Sequence, residues 1–515
     1  MVIDMDRAAK KTDKTVWYLE RYIDETGSTW YKPDTYNIKQ FDEAADKGLI
    51  IKEGCLYTLP KIAAYEKDIA RYVTARLHYD EDLFRHYPES FLDMYISLYE
   101  KREGIILDDR QKEAVYLAFK SNIFILTGGP GTGKTSVLKC IYYCLKNILK
   151  TDDICFMAPT GRAARRITES VGTEAFTVAK KFGLYGEEKK PKQLNCEAAI
   201  VDEASMLDTY SAHVLFTATK LGAKIILVGD VDQLPSVGYG AVLRDLLDSG
   251  IPCVKLEKTF RQASESGLFE NIAEIKTGLK SGFIIRDDFS VLNVSDCSDA
   301  KDLMISQFMD AVKIHGIDQV TCLTPYRRKG NCCAIGLNRM LQERLNPVCR
   351  GKNTVRYTAR EKDGFSYDIR LNEGDPVMQL VNRDVIANGD IGIVRKIDTS
   401  KKLIYVRFTD CEVVYNRHEL AQLTLAYAMS VHKSQGSEYT CVITSAISED
   451  INMLSRNILY TAVTRAKKEC RVITDGDTAT IACKRKTGYE RTTRLASAIR
   501  NEEKILQLLF RYNAG

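Results

Sequence analysis

Apolar residues downstream of Asp108 fall into short runs that alternate with stretches of helical spacing. The first series of runs reads NIFILTG, ICFMAPT, EAAIVDEA, KIILVGD and CVKLE. Short apolar runs bounded by polar residues are typical of strands that are buried on both faces. Their alternation with helical segments predicts a parallel sheet in an α/β domain.

A second series of apolar runs follows later and reads QVTCLTPY, LTLAYAMS, YTCVITSA and CRVITDG. It predicts a second parallel sheet. Between the two series, SVLNVSDCSDAKDLMISQFMDAVKI predicts one strand and one amphipathic helix. Residues 373–420 differ from both series, because they are rich in Val, Ile and Tyr and contain NGD and TSKK turns. This pattern predicts a small β-barrel inserted into the second α/β domain.

The first hundred residues carry no catalytic signature. Helical patterns surround one predicted hairpin, GLIIKEGCLYTLP, in which a Gly-containing turn separates two apolar arms. Helices around a hairpin are typical of a winged helix, which serves either DNA contact or plain docking, and the sequence leaves both open. The predicted division is an N-terminal module at 1–100, a first α/β domain at 101–258, a barrel at 373–422, and a second α/β domain at 259–372 and 423–515.

Composition places the chain among ordinary globular proteins. At 515 residues it is long enough for several domains, since single cores stop growing at about 250 residues. The hydrophobic fraction is 45%, and the formal charge of +5 at pH 7 permits a nucleic-acid partner without requiring one. No apolar run is long enough for a membrane span, and the start MVIDMDRAAKKTDKT lacks the apolar core of an export signal. These features predict a cytoplasmic protein without a membrane partner.

The fifteen cysteines are scattered along the chain. No CxxC pair occurs, and the adjacent Cys332 and Cys333 suit neither zinc spacing nor an obvious bridge. Most cysteines lie in apolar runs, where a reduced thiol behaves as a small core residue. They predict buried free thiols in a reducing compartment.

The stretch GGPGTGKT, from Gly128 to Thr135, fits the phosphate-binding pattern GxxxxGK[ST]. It follows the run IFIL and precedes a segment of helical spacing, which is the order that the pattern requires. Glycines let backbone N–H groups wrap phosphate oxygens, and the helix N-terminus adds positive potential. Lys134 is expected to reach the β- and γ-phosphates and Thr135 to ligate Mg²⁺. These residues predict a nucleoside triphosphate site.

Two acidic residues follow the run AAIV, one α/β unit further along. Asp202 is expected to hold Mg²⁺ and Glu203 to orient the attacking water. Gln233 in LVGDVDQLPSVGYG is expected to contact the γ-phosphate, with a loop-stabilising amide as the alternative. Arg261 in KTFRQA and Arg465 in LYTAVTRAKK are candidates for the arginine that assists phosphoryl transfer, although an isolated arginine is more often a solvated charge.

A dozen ordered segments resemble the motifs of superfamily 1B helicases, and within them the RecD-like branch. They read DDRQKEAV, GGPGTGKT, APTGRAA, VDEASMLD, GDVDQLPSVGYG, FRQA, LNRMLQERLNP, GDPVMQLVNRD, NGDIG, SVHKSQGSEY, LYTAVTRAKK and ERTTRLASAI. The resemblance covers about residues 100–500. It implies two RecA-like P-loop domains with ATP in the cleft between them, an SH3-like fold for the barrel, movement along single-stranded DNA, and unwinding in the 5′→3′ direction.

Carried over by position, the resemblance also implies which residues act on ATP, Mg²⁺ and DNA. The hydrolytic residues would be Lys134, Asp202, Glu203, Gln233, Arg261 and Arg465, with both arginines acting across the cleft. The ATP-binding residues would be Gln111, which reads adenine, then Gly128, Gly129, Pro130, Gly131, Thr132, Gly133, Lys134, Thr135 and Ser136, and finally Gln435, Gly436 and Glu438 of SVHKSQGSEY. Thr135 and Asp202 would hold the metal. The DNA-binding residues would be Pro159, Thr160, Gly161, Arg162, His432 and Lys433.

Several positions depart from the family pattern or fit a second interpretation. Ala179 stands where the family commonly has His. Residues 180–198 stand where the family inserts a strand-separating pin, but the stretch is short, and its Phe182 and Tyr185 equally fit packing. Thr160 equally fits a helix N-cap beside surface arginines.

Three functions stay open at this stage. The first is a DNA helicase that acts on single strands and single-strand/duplex junctions in recombination or repair. The second is an RNA helicase of the same superfamily. The third is an ATP-gated subunit of a larger complex, which binds a protein partner through the N-terminal module.

Overall fold

The N-terminal module is a group of helices around one short hairpin. The computed structural model describes residues 13–79, 88–184, 190–259, 266–360, 364–383, 386–409, 411–485 and 491–513. The elements of the module are α1 (Lys14–Thr26), α2 (Ile38–Asp46), β1 (Ile51–Glu53), β2 (Leu56–Thr58) and α3 (Pro60–Leu77). The next helix, α4 (Glu89–Glu103), falls mostly within the predicted module at 1–100, but its Leu92, Ile96 and Tyr99 are buried in the core of the first α/β domain. The two strands pair antiparallel with Ile51 opposite Thr58, in the register expected for a turn at Gly54.

The first α/β domain is a six-stranded sheet in which every strand pairing is parallel. Its elements are α5 (Asp109–Lys120), β3 (Ile123–Gly128), α6 (Lys134–Leu149), β4 (Ile154–Ala158), α7 (Gly161–Val171), β5 (Ala175–Thr177), α8 (Val178–Phe182), β6 (Ala198–Val201), α9 (Thr209–Ala218), β7 (Lys224–Gly229), α10 (Val242–Asp248) and β8 (Cys253–Leu256). The strand order is β5-β4-β6-β7-β3-β8. Every residue of β3, β4, β6 and β7 is buried, because helices cover both faces of a parallel sheet.

The second α/β domain is interrupted by a barrel and followed by a long helix. Its first elements are α11 (Gly267–Thr277), β9 (Phe289–Val294), α12 (Cys297–His315), β10 (Val320–Thr324) and α13 (Ala334–Leu345). The inserted strands are β11 (Thr354–Arg360), β12 (Ser366–Asn372), β13 (Pro376–Gln379), β14 (Ile391–Asp398), β15 (Leu403–Arg407), β16 (Glu412–Asn416) and β17 (Leu423–Leu425). The chain continues with β18 (Ala428–Ser430), β19 (Tyr439–Ala446), α14 (Arg456–Val463), β20 (Ala466–Asp475), α15 (Thr478–Lys484) and α16 (Leu495–Asn513).

The second sheet has the order β18-β10-β19-β20-β9, and all its pairings are parallel. The inserted sheet has the order β16-β15-β14-β13-β17, and its pairings are antiparallel. Strands β11 and β12 form a separate antiparallel hairpin. The expected class, two parallel α/β domains with an inserted β-barrel, is confirmed.

The run LTLAYAMS, predicted as one strand of the second sheet, is divided between two sheets. Its first part, β17, lies beyond the predicted 373–422 barrel and pairs with β13, placing Leu425 opposite Val377. Its second part, β18, pairs with β10. Leu423 and Leu425 are buried while Thr424 between them is partly exposed, and this alternation suits an antiparallel barrel strand.

Helix α16 lies apart from the second α/β domain, to which the predicted range 423–515 assigns it. Leu495 and Ile499, four residues apart on one helix face, are buried with Ile69 of α3 and with strands of the first sheet. The predicted boundary is therefore wrong at this end. The segment that includes Leu495 and Ile499 packs with the N-terminal module and the first domain.

The predicted pin falls partly outside the described residues, since 185–189 are not described. Phe182 ends α8 and is fully buried in the core of the first domain. Leu194 forms an isolated bridge with Thr219. The described flanks of the segment are thus attached to the first domain, and the pin stays a prediction.

Two further sequence expectations concern membranes and thiols. In the described part of the chain, no helix is long and apolar enough to cross a bilayer. All fifteen cysteines are free thiols, and most of them are buried. Burial raises the pKa of Cys322 and of Cys470, so these thiols are neutral core groups.

The barrel is fastened to helix α13 through one buried carboxylate. Asp375 accepts hydrogen bonds from Asn346 Nδ2 (2.5 Å), Tyr427 OH (2.8 Å), the backbone N–H of Asn372 (2.6 Å) and Gln342 Nε2. Burial raises the pKa of Asp375, although these donors favour the ionised form. The carboxylate therefore organises four donors from three parts of the chain.

Replacing Asp375 with alanine leaves these four donors without their shared acceptor. We expect Asp375→Ala to lower the free energy of unfolding by about 2 kcal/mol or more, because unpaired buried donors keep their desolvation cost. The exposed Asp368, which accepts from Thr358 Oγ1 at 2.7 Å, is a matched control, and Asp368→Ala is expected to stay within about 0.5 kcal/mol of wild type. Thermal melting of both variants checks this. Equal melting temperatures for Asp375→Ala and wild type would show that the network adds nothing.

Candidate active site

The phosphate-binding loop connects strand β3 to helix α6. Gly131 (φ +75°) and Gly133 (φ +86°) adopt left-handed backbone conformations, which explains why glycine occupies these turns. Gly133 is the N-cap of α6, so the unpaired N–H groups of the helix start face the loop interior. Lys134 Nζ donates to the carbonyl oxygens of Gly128 (2.6 Å) and Gly129 (2.9 Å). The loop thus concentrates N–H donors and one ammonium group at a single point.

The two acidic residues follow strand β6, as the sequence predicts. Asp202 Oδ1 accepts from the backbone N–H of Glu203 at 2.8 Å. Burial raises the pKa of the Asp202 carboxyl to about 6, the nearby Glu203 acts in the same direction, and the cations Lys134 and Arg166 oppose it. Glu203 adopts a left-handed φ of +52°, an uncommon conformation for a residue with a side chain. Such local backbone strain often occurs at functional sites.

These residues line one cleft between the two α/β domains, with a volume of about 420 Å³. The first domain contributes residues 129–136, Arg166, Asp202, Glu203, Asp230 and Gln233. The second contributes Glu438, Thr464 and Arg465. The cleft therefore brings together Lys134, Thr135, Asp202, Glu203, Gln233, Glu438 and Arg465 of the sequence-predicted residues. Arg261 lies outside the described residues.

Arg465 is a buried arginine that donates hydrogen bonds to neutral oxygens. Its Nε donates to Thr461 O (3.2 Å), Nη1 to Ser437 O (3.2 Å) and Nη2 to Thr464 Oγ1 (3.3 Å). Only 3% of the residue is exposed, so the interpretation as a solvated surface charge is wrong. A guanidinium held by neutral groups at a cleft wall keeps its charge available for an anion.

An ion pair between the domains closes one side of the cleft. Arg166 Nη2 and Glu438 Oε1 lie 2.9 Å apart, and Lys467 Nζ lies 3.5 Å from the second carboxylate oxygen. Burial by itself would raise the pKa of Glu438, but the cations Arg166 and Lys467 outweigh it and hold that pKa below its ordinary value. Arg166 has no place among the sequence-predicted site residues, whereas Glu438 does.

One face of helix α14 binds the loop that follows β7. Tyr460 OH donates to Asp230 Oδ2 at 2.9 Å, and Thr461 Oγ1 accepts from the backbone N–H of Leu234 at 2.9 Å. Gln233 Nε2 lies 3.4 Å from the same Asp230 oxygen. Burial raises the pKa of Asp230. Gln233, which is expected to contact the γ-phosphate, therefore lies beside the Asp230 carboxylate, and that carboxylate also accepts a hydrogen bond from the second domain.

A second, smaller cavity lies beside the phosphate-binding loop. It has a volume of about 230 Å³ and is lined by Asp108, Arg110, Gln111, Thr132, Lys255, Leu256, Glu257 and Lys258. Gln111 Oε1 accepts from the backbone N–H of Asp108 (3.1 Å), and its Nε2 donates to Thr132 O (3.2 Å). Gln111 thus lies in the wall of a cavity that adjoins the phosphate-binding loop.

The segment from Ser430 to Tyr439 contacts the first domain at two places, the loop after β7 and helix α7. Gln435 Nε2 donates to Leu234 O at 2.9 Å, so Gln435 supports the loop after β7 and does not line the cleft. Gly436 O accepts from Arg166 Nη1 at 3.4 Å, and a Cβ at Gly436 would lie 3.2 Å from Thr160 Oγ1. The left-handed φ of +73° at Gly436, together with this close approach to the start of α7, accounts for the glycine. Glu438 alone of the three predicted residues borders the nucleotide cleft.

Two of the residues predicted to hold DNA at the start of α7, Gly161 and Arg162, meet the inserted segment and the second domain. Thr160 Oγ1 accepts from the N–H of Ala163 (3.3 Å), so it is an N-cap of α7. A Cβ at Gly161 would lie 1.9 Å from the Ala387 side chain of the inserted segment. Arg162 Nη1 donates to Tyr439 OH at 3.1 Å. Pro159 follows the end of β4 directly.

His432 and Lys433 lie on a short 3-10 turn after β18. Lys433 is exposed, and its Nζ donates to Asn388 Oδ1 at 3.2 Å. Burial lowers the pKa of His432, and the charge of Arg491 adds to this. Lys433 therefore offers a cation to a ligand beside the inserted segment, whereas His432 is a largely neutral imidazole at pH 7.

Comparison with known proteins gives a consistent family. The profile of AAA domains matches residues 111–239, that of the ATP-dependent RecD-like DNA helicase SH3 domain matches 337–408, and that of the UvrD-like helicase C-terminal domain matches 425–473. The chain belongs to the RecD-like helicase family. The SH3 profile matches part of the inserted barrel that distinguishes this RecD-like chain from a plain pair of α/β domains.

Individual relatives agree with the profiles. The ATP-dependent RecD2 DNA helicase of Deinococcus radiodurans is 33% identical over 350 residues, which are 67% of this chain and 46% of the relative. The RecBCD enzyme subunit RecD of Mycobacterium tuberculosis is 28% identical over 408 residues, 71% of this chain and 69% of the relative. This chain thus spans about half the length of the first relative. A Pif1 helicase from Bacteroides, solved with ADP-AlF3 and ssDNA, aligns with a TM-score of 0.47 at 20% identity over 80% of this chain and 98% of that one.

Sequence reasoning missed several residues of this RecD-like site. Asn457, Tyr460 and Thr461 all lie on the α14 face toward the loop, and Asn457 Nδ2 donates to Gln233 O at 3.2 Å. A signal existed in the i, i+3, i+4 spacing of these polar residues within a helix whose other residues, apart from Arg456 at its start, are apolar. Asp230 also stood at a strand end beside Gln233. Nothing local to Arg166 distinguished it from its neighbour Arg165.

Ionisation of Asp202 lowers the free energy of unfolding by an amount that depends on pH. Its pKa lies above the ordinary value, so the ionised carboxylate destabilises the fold above about pH 6, and this cost is relieved as the pH falls through 6. We expect Asp202→Asn to melt at a higher temperature than wild type at pH 8, by an amount equivalent to about 2–3 kcal/mol, and the gap to narrow by roughly half at pH 5.

The control for this measurement is Asp152→Asn, since Asp152 is an exposed partner of Lys146 in the same domain. Its melting temperature is expected to follow wild type at both pH values. An Asp202→Asn protein that melts at or below wild type at pH 8 would contradict the assigned burial cost.

Proposed function

We propose that this chain is an ATP-driven DNA helicase that moves 5′→3′ along single-stranded DNA. The observation that carries the proposal is the shared cleft, in which Arg465 and Glu438 of the second domain face Lys134 and Asp202 of the first. A motor needs a hydrolytic site that both domains complete, because only then does the state of the nucleotide change their mutual affinity.

The cleft supports hydrolysis with a distinct role for each group. Lys134 and the N-terminus of α6 bind the phosphates, and Gln111 reads the base in the adjoining cavity. Glu203 orients a water for attack on the γ-phosphorus and accepts its proton, while the bond to ADP breaks. Arg465 stabilises the charge that spreads over the transferred group.

The residues of the cleft also suit Mg²⁺. Asp202 carboxylate and Thr135 hydroxyl oxygens are hard ligands of the kind this ion takes beside phosphates, and they would hold it. Bound there, Mg²⁺ supplies charge neutralisation for the phosphates. Burial raises the pKa of Asp202, and a cation bound beside it would lower that pKa and favour the ionised carboxylate.

Coupling to DNA rests on the contacts that the two domains share. The loop carrying Gln233 is bound to α14 through Asp230 and Leu234. A movement of Gln233 on loss of the γ-phosphate would therefore alter the contacts of the second domain. Lys433 and residues 159–162 lie at the same domain junction and offer cationic, amide and hydroxyl groups to a DNA backbone. Opening and closing of the junction would then move the strand.

Relatives of this chain support DNA as the polymer and suggest a second candidate function. One relative is named a DNA helicase, whereas several others are named subunits of the RecBCD enzyme. A role as an ATP-gated subunit in recombination or repair is therefore the alternative, with the N-terminal module as the surface for a partner. Strong unwinding by the isolated chain favours the autonomous helicase.

Strand displacement on forked duplexes tests the proposal. We expect unwinding from a 5′ single-stranded tail and none from a 3′ tail, with Lys134→Ala inactive because the phosphates lose their ammonium partner. Lys146→Ala is the matched control, since Lys146 lies on the same helix but is exposed and paired with Asp152. Unwinding only from 3′ tails would reject the polarity, and a preference for RNA strands would reject DNA as substrate.

Arg465 is expected to act mainly in the transition state. We expect Arg465→Ala to lower kcat for ATP hydrolysis by about 10²–10³-fold, with a much smaller change in the Kd of ATP. Arg465→Lys keeps the charge but loses the forked donor geometry, so it should recover only part of the rate. Steady-state kinetics and nucleotide titration measure both quantities. An unchanged kcat in folded Arg465→Ala would remove this residue from the mechanism.

A further inference from the structure

Arg491 binds the loop that continues from the nucleotide cleft. Its Nη1 donates to Ser236 Oγ (3.0 Å), Gly238 O (2.8 Å) and Gly240 O (2.6 Å), and its Nη2 donates to Ser236 O (2.6 Å). All four acceptors lie within five consecutive residues, 236–240. Burial lowers the pKa of Arg491 to about 10, so the side chain is still a cation at pH 7. One guanidinium therefore fixes the shape of this loop.

The same loop begins with the residues that border the cleft. Leu234 is held at its N–H by Thr461 and at its carbonyl by Gln435, and two residues later Ser236 is held by Arg491. A cavity of about 80 Å³ has both Gln233 and Arg491 in its wall. Helix α14 thus contacts the loop at Gln233 and Leu234, and Arg491 holds the same loop at residues 236–240.

The N-terminal module meets Arg491 from the opposite side. Gly27 has φ +68°, and a Cβ there would lie 2.5 Å from Arg491 Cζ. Gly27 O accepts from the N–H of Gly240 at 2.8 Å. Thr492 O accepts from the N–H groups of Thr29 (3.0 Å) and Trp30 (3.1 Å). The N-terminal module therefore contacts both the guanidinium and the loop that the guanidinium holds.

We propose that Arg491 is a positioning residue for ATP hydrolysis and that the N-terminal module controls it through Gly27. In this arrangement the module is an input to the nucleotide site, since a shift of residues 27–30 moves Arg491 and with it the loop from Gln233 to Gly240. The inference rests on the proposed ATPase function. It adds a route by which a partner or DNA on the module alters turnover.

Simple packing is the competing explanation, because a guanidinium also satisfies buried carbonyl groups wherever they occur. The two explanations differ in what a variant does to kinetics. A packing residue changes the melting temperature and leaves the kcat of folded protein alone. A positioning residue lowers kcat while the Kd of ATP holds, since the phosphate-binding loop and the Gln111 cavity do not touch Arg491.

The test measures kcat, the Kd of ATP and the melting temperature of the full chain. We expect Arg491→Ala to lower DNA-stimulated kcat by about 10–100-fold with a Kd within about 2-fold of wild type. Guanidinium chloride in the low millimolar range should restore part of this rate, and equal sodium chloride should not. Arg500→Ala is the charge-matched control, because Arg500 is exposed and donates to Asp248 O, away from residues 236–240.

Gly27→Ala approaches the same guanidinium from the module. Its matched control is Gly48→Ala, which carries the same backbone cost at φ +69° but has nothing within 4 Å of the added Cβ. We expect Gly27→Ala to lower kcat as Arg491→Ala does and Gly48→Ala to leave it near wild type.

Three results decide the proposal. Normal kcat in folded Arg491→Ala overturns it, and equal kcat in Gly27→Ala and Gly48→Ala overturns control by the module. If wild type hydrolyses no more ATP than Lys134→Ala, the proposed ATPase function itself is rejected. This result is distinct from a normal kcat in Arg491→Ala, which rejects only the role of Arg491.

Discussion

The contact between residues 230–234 and one face of α14 is the constraint on which the site depends. Tyr460 OH donates a hydrogen bond to Asp230, and Thr461 Oγ1 accepts one from the N–H of Leu234. Because Arg465 follows on the same chain segment, this contact also fixes the arginine at the cleft wall. A few hydrogen bonds between the two domains therefore hold both the loop that carries Gln233 and the segment that carries Arg465.

The cleft holds charges that folding alone would not favour. Asp230 is a buried carboxylate and Asp202 is a partly exposed one, and both have raised pKa values. The buried Arg465 donates its hydrogen bonds to neutral oxygens, and Glu203 has a left-handed backbone. Each feature costs stability. A substrate that carries several negative charges, bound together with a divalent cation, would compensate these costs. Nucleotide binding therefore accounts for unfavourable groups that folding alone would not retain.

Sequence reasoning reached the features that local patterns encode. Buried parallel strands read as short apolar runs, and the turn glycines 131 and 133 identify the phosphate-binding loop without reference to distant residues. It failed where partners lie far apart in the chain. Arg166 and Glu438, or Arg491 and Ser236, give no local signal, because an arginine that pairs across a fold looks like one that is solvated. The C-terminal helix was assigned by sequence proximity to the second domain, whereas its apolar face is buried with α3.

The most direct test of the account is ATP turnover by the full chain as single-stranded DNA is added. The account predicts that turnover rises several-fold and then saturates, since DNA bound at the domain junction favours the closed cleft in which Arg465 faces the phosphates. Turnover that is indifferent to DNA at every concentration would contradict it, because the shared cleft would then serve hydrolysis without serving a motor.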